Sequence, residues 1–191
     1  MPHSLRLNSD CKDKMVQAWF FDEKVANPRE PCQLENVALD VVEALGCKLF
    51  KFDAANKSSC PNLAKIVKDQ NYNFQDEITV SPTTLPDYEK KVQMFLEEHI
   101  HDDPEARGCL DGSGYFDVRD KNDKWIRILV EKGDLLIIPA GIYHRFVPDL
   151  KDFIVAIRFF EGNPVWTPIN RANNEENIQN MPIRQKYLAS L

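Results

Sequence analysis

The chain has 191 residues, with 24 Lys plus Arg against 30 Asp plus Glu, a formal net charge of −6. That length suits one domain with a sizeable core, and an acidic balance without a basic stripe argues against nucleic acid as a partner. With 43% apolar and 28% charged residues the chain is not broadly disordered, and apolar runs such as 135–139 fall far short of the roughly 20 residues of a membrane span.

Residues 1–14 are polar and aperiodic, so a flexible extension without a secretory signal is expected, followed by a single domain at 15–191. Residues 16–22 (VQAWFFD) read as a first strand. Residues 33–45 place Leu34, Val37, Ala38, Val41 and Leu45 at helical spacing, with Gly46 as the stop. A strand is expected at 48–52. A second helix at 61–72 has Pro61 in its first turn and an apolar face of Leu63, Ile66 and Val67. A third, N-capped by Asp87, should bury Val92, Phe95 and Leu96 and end near His99.

From His99 to Phe160 short β runs alternate with turn residues. Turns are expected at 111–114 (DGSG), 121–123 (KND) and 139–141 (PAG), with strands at 125–131, 135–138, 144–147 and 153–160. This spacing predicts a mainly β fold with flanking helices, an antiparallel sandwich or barrel. After Gly162 the chain reads as a polar tail. The five cysteines are scattered, with no C-x-x-C pair; reduced thiols in a cytosol are the expectation.

Three of the four histidines, His99, His101 and His144, and five of the seven glycines lie in this β region. On a strand His99 and His101 share a face, with β-carbons roughly 6–7 Å apart, so both imidazoles can reach one ion. Glu105, beyond a bend at Pro104, can return a carboxylate to the same point, and a neighbouring strand can bring His144 alongside. Imidazoles plus one carboxylate suit Fe(II), Ni(II), Co(II) or Mn(II) better than a soft thiolate-seeking ion. An isolated H-x-H is more often a surface or hydrogen-bonding pair. Here H-x-H-x3-E-x6-G runs from His99 to Gly112 and G-x5-P-x-G-x2-H from Gly133 to His144, which makes coincidence a poor explanation.

These two patterns resemble the paired motifs of the cupin superfamily, a double-stranded β-helix or jelly-roll barrel. Pro148 departs from the second motif, which often carries Asn there. Segments 14–22 (KMVQAWFFD), 85–101 (LPDYEKKVQMFLEEHIH), 110–120 (LDGSGYFDVRD), 125–128 (WIRI), 133–146 (GDLLIIPAGIYHRF) and 164–167 (PVWT) are more specifically similar to the acireductone dioxygenase family. The resemblance implies O2-dependent cleavage of an acireductone in methionine salvage, with Fe(II) or Ni(II), one per chain, held by His99, His101, Glu105 and His144. It implies catalytic roles for Glu105 and Arg107, and substrate binding by Phe95, Arg107 and Phe146. Small-molecule acireductone and O2 are the expected partners, without nucleic acid or membrane insertion. A monomer in the cytoplasm is expected, with the nucleus also open to a chain of 22.1 kDa.

Gly108 stands where the family usually carries Tyr, and Ala106 where it carries a larger aliphatic residue. These departures favour one other reading, a non-catalytic metal-binding cupin that regulates or docks to a partner, and the same four ligands leave open a cupin oxygenase acting on a flavonol or another diketone-like substrate.

Overall fold

The computed structural model describes residues 16–31, 34–163 and 167–191; the extension expected at 1–14 lies outside them. The elements are β1 (Gln17–Phe21), α1 (Leu39–Ala44), β2 (Lys48–Lys51), α2 (Pro61–Asp69), β3 (Phe74–Val80), α3 (Tyr88–Leu96), β4 (His99–Ile100), β5 (Glu105–Arg119), β6 (Trp125–Glu131), β7 (Asp134–Ile138), β8 (His144–Pro148), β9 (Ile154–Phe160), β10 (Ile169–Asn170), α4 (Glu175–Gln179) and α5 (Pro182–Leu188). All strand pairings are antiparallel. One sheet runs β1-β6-β5-β8-β4-β10 and the other β2-β7-β5-β9-β3. The two share β5, which gives the expected jelly-roll arrangement.

The turn expected at 111–114 does not form. β5 continues through it, and its register shifts between Cys109 and Asp111. The first part of the strand pairs with β7 and β9, the second with β6 and β8. Gly112 makes this change of sheet possible: its φ is +74°, and a β-carbon there would lie 2.2 Å from the Phe153 carbonyl oxygen. A D-G-S-G sequence therefore marks a bulge within one strand rather than a reversal.

Side chains alternate between two packed layers. On β7, Leu136 and Ile138 join the main core with Val118, Ile126 and Ile128. Leu135 and Ile137 face the other way and join Ala106, Phe52, Leu63 and Ile66, which brings α2 onto that face. A strand buried on both faces reads as a continuous apolar run, and β7 is one.

The first expected helix is shortened to α1. Residues before it are extended along β1: the Phe20 amide donates to the Glu35 carbonyl at 3.0 Å and the Val37 amide to Ala18 at 2.8 Å. Pairing with the edge strand supplies backbone partners that a helical turn would forgo. Leu34, Ala38 and Val41 are consequently exposed, while Val42 and Leu45 are buried. Gly46, with φ +87°, does follow the helix end as expected. Asp87 precedes α3 but adopts φ 55° and makes no side-chain cap. Phe95 and Leu96 pack only partly buried against the core that holds Val92.

Two regions escaped sequence reading. Strand β3 carries Asp76 and Glu77 in mid-strand, which masks its alternation; Asp76 is opposite Arg158 on β9 and takes a two-pronged ion pair from it at 2.6–2.7 Å. Of the tail expected after Gly162, residues 167–191 instead fold back. Ile178 is fully buried with Ile100 and Tyr143, and Tyr187 reaches the main core.

Candidate metal centre

His99 and His144 are direct cross-strand partners on β4 and β8. On its other side β4 pairs with β10, with Asn170 opposite His99. His101 follows β4 immediately, and its carbonyl accepts a bond from the Gly141 amide at 3.0 Å. The Gly141 carbonyl in turn accepts from Arg184 of α5 at 2.9 Å, so the folded C-terminal segment braces the turn that leads to His144. Glu105 opens β5, paired with Ile138 of β7. The His99 ring lies 4.8 Å from that of His101 and 4.5 Å from that of His144, centroid to centroid.

The donor atoms converge. One ligand atom from each of His99, His101, Glu105 and His144 lies within 4.8 Å of every other. Donors at ~2.1 Å from a common six-coordinate ion are roughly 3 Å apart when adjacent and roughly 4.2 Å when opposed, so the cluster has suitable dimensions. The Nδ1–H of His99 donates to the Glu97 carbonyl at 2.8 Å and that of His144 to the Ile142 carbonyl at 2.9 Å. Each bond fixes the tautomer that leaves an Nε2 lone pair available. Glu105 Oε2 lies 3.2 Å from His101 Nε2 and 3.4 Å from His144 Nε2.

Electrostatics hold these groups ready for a cation. Burial pushes His99 down to about 3, helped by the nearby His144, so its imidazole is neutral at physiological pH. Burial opposes ionisation of Glu105, but the Arg107 charge and the adjoining His101 and His144 outweigh it and hold the carboxyl well below its ordinary value. Burial also pushes the Cys109 thiol up to about 12; it stays protonated, and the available donors are nitrogen and oxygen.

The cluster opens onto a cavity of about 370 Å³ lined by His99, His101, Glu105, Arg107 and mostly apolar side chains, among them Ile78, Val80, Phe95, Phe116, Phe146 and Ile154. Phe146 packs edge-on to Phe95 at 5.8 Å and tilted on Phe116 at 5.1 Å. Arg107 is mostly buried, with its Nε 3.4 Å from Glu105 Oε1. A second, more polar cavity of about 210 Å³ shares His101, Glu105 and Arg107 and is lined also by Gln70, Tyr72, Asp103 and Glu161. All six candidate residues other than His144 line the larger cavity, and His144 is buried within the histidine cluster.

Sequence reading missed Arg158 and Lys91, which also line this cavity. Arg158 is directly opposite Arg107 on β9; a lone charged residue in the strand IVAIRFF was the available signal. Both family departures direct their side-chain positions away from the cavity, although the Gly108 backbone borders it. A β-carbon on Gly108 would meet Ile157 at 2.9 Å and the Phe52 ring at 3.2 Å, both in the cluster under α2 that also holds Ala106. Phe52 fills the space a larger residue at 108 would need.

Residues 17–168 match the profile of the ARD/ARD' family. Acireductone dioxygenase of Rattus norvegicus is 52% identical over 160 residues, which cover 82% of this chain and 89% of that one. The Xenopus laevis acireductone dioxygenase is 47% identical over 180 residues, covering 93% and 98%. Among solved structures, an acireductone dioxygenase from Bacillus anthracis with a cadmium ion in its active center shares the fold, with TM-score 0.64 and 24% identity over 81% of this chain and 98% of that one. With its cupin-type jelly roll and its match to the family over most of its length, the chain belongs to the acireductone dioxygenase family.

Proposed function

We propose that this chain cleaves the acireductone 1,2-dihydroxy-3-keto-5-methylthiopentene with O2, giving formate and 4-methylthio-2-oxobutanoate when iron is bound. With nickel the expected products are methylthiopropionate, formate and carbon monoxide. One observation carries the reading: three imidazoles and a carboxylate converge beside a largely apolar cavity that also holds a buried arginine. His99, His101, Glu105 and His144 would hold Fe(II) or Ni(II), one per chain, and the mixed nitrogen and oxygen donors fit either ion. The bound ion would act as a Lewis acid that stabilises the deprotonated enediol, whose electron-rich carbons react with O2.

The chain's own residues bind and orient. Arg107 brings a guanidinium into a cavity of low polarity, where it offsets the charge of a deprotonated enediol and donates to its oxygens. Its contact with Glu105 keeps that carboxylate ionised and aimed at the histidines. Phe95 and Phe146 form an apolar wall for the methylthio tail, whose burial contributes about 0.8 kcal/mol per methylene, and the packed rings exclude water from the enediol end. Residues 15–191 would act as one catalytic domain and a monomer. The proposed setting is methionine salvage in the cytoplasm, with the nucleus also accessible; among the described residues no helix is long and apolar enough to cross a membrane.

Oxygen consumption tests the reading. Iron-loaded protein should consume O2 with the acireductone, release formate and leave a flavonol untouched; metal binding without O2 uptake would instead support the non-catalytic alternative. The support that Gly108 and Ala106 lent that alternative is weakened by the direction of their side-chain positions, which lead into the cluster under α2 and not into the cavity. Arg107→Ala should retain its metal, raise KM and lower kcat/KM by roughly 100-fold, the scale of losing one oriented donor to a developing anion. Metal analysis beside steady-state kinetics checks this, and wild-type kinetics would contradict the role given to Arg107.

A further inference from the structure

Gly114 lies on β5 opposite Val130 of β6 and Pro148 of β8. Alternation puts positions 114 and 116 on one face of the sheet. Phe116, Val130 and Phe146 all line the cavity, so a side chain at 114 would point among them. The sequence has none. A β-carbon there would stand 2.8 Å from Cε2 and 3.0 Å from Cζ of Phe146, with Cδ1 of Ile154 at 3.6 Å. The outer edge of the Phe146 ring thus rests on the bare backbone of β5, while Phe116 and Phe95 flank the ring at 5.1 and 5.8 Å. Gly114 is not among the residues with positive φ. Space, and not backbone conformation, is what a side chain here would violate.

We propose that Gly114 is a specificity-determining residue, whose missing side chain seats the Phe146 ring and keeps the cavity open to the substrate's apolar tail. A methyl group at 114 displaces the ring from β5. Phe116 already backs the ring, so the volume it can take is that of the cavity. The enediol end, gathered about His99, His101, Glu105 and Arg107, is not touched. The change therefore falls on tail recognition and spares metal binding. This inference rests on the proposed use of the cavity for a thioether tail.

The test compares Gly114→Ala, Phe146→Leu and the double variant on two acireductones, one with the methylthioethyl tail and one whose chain ends at a methyl group. Gly114→Ala should raise KM for the long-tailed substrate by roughly 10-fold, the scale of mismatch by about one carbon in an apolar pocket. KM for the short substrate should stay within about twofold of wild type, with unchanged metal content. The double variant, with a smaller side chain over position 114, should fold and regain most of the long-tail preference even where Gly114→Ala alone folds poorly. Equal KM changes for both substrates, or no recovery in the double variant, would overturn the inference. Wild-type turnover of the long-tailed acireductone tests the function itself. A crystal structure of Gly114→Ala reads the ring position independently of turnover, and an unmoved Phe146 would overturn the role of Gly114 alone.

Discussion

Replacing His144 with alanine is expected to abolish O2-dependent turnover and to strip most of the bound metal, while the fold persists. His144 is 2% exposed and directly opposite His99. Its Nδ1–H is committed to the Ile142 carbonyl, so Nε2 is the atom presented to an ion. Without it only His99, His101 and Glu105 remain, and affinity should fall by roughly 100-fold or more, at least the loss seen when partners that merely orient a ligand are removed. The sheet should tolerate the change, because β8 is held by backbone pairing to β5 from Gly114↔Pro148 through Val118↔His144. Metal content per chain and circular dichroism separate the two effects. A variant that retains full metal and activity would remove His144 from the site.

The second large effect concerns stability. Asp117 and Arg127 are both fully buried; Arg127 donates to the two Asp117 oxygens at 2.7 and 2.9 Å, and Arg145 adds a bond to the same carboxylate at 2.8 Å. Arg127 also lies 3.6 Å from the Phe21 ring centre and donates to the Glu30 carbonyl at 3.0 Å. One carboxylate thus ties β5 to β6 and β8, one residue from the Val118↔His144 pair. Asp117→Ala leaves two guanidinium groups without their shared anion inside the protein. The expected cost is about 3–5 kcal/mol, or a fall in Tm on the order of 10–15 °C for a domain of this size. Thermal unfolding measures it; a change below about 1 kcal/mol would mean that water or another group replaces the carboxylate. Replacing all three residues by apolar ones of similar volume should recover much of the loss.

The strands from Trp125 to Phe160 were legible because runs of β-forming residues are bounded there by turn residues, and β6 occupies the expected 125–131. Three of the four donors were legible because their spacing is local, His99 and His101 two residues apart and Glu105 four further on across a proline, and His144 was legible from the second, glycine-marked pattern that begins at Gly133. What escaped depends on tertiary partners. Gly112 and Gly114 read as a turn, yet one permits a bulge beneath Phe153 and the other a ring above the sheet, and local sequence names neither neighbour. The acidic middle of β3 reads as polar until Arg158 is seen opposite Asp76. Residues 167–191 lack a long apolar face, and their order comes from single anchors such as Ile178 and from arginines. Arg171 bridges Glu98 at 2.7 Å and Asp123 at 2.7 Å. That pairing holds the Asp123 carboxyl below its ordinary value.

The central claim is best tested by anomalous diffraction from crystals of protein loaded with a single divalent ion, nickel or iron. The predicted result is one peak per chain within roughly 2.0–2.3 Å of a nitrogen from each of His99, His101 and His144 and an oxygen of Glu105. A peak bound elsewhere, or one that leaves His144 or Glu105 uncoordinated, would contradict the site and the oxygen chemistry assigned to it.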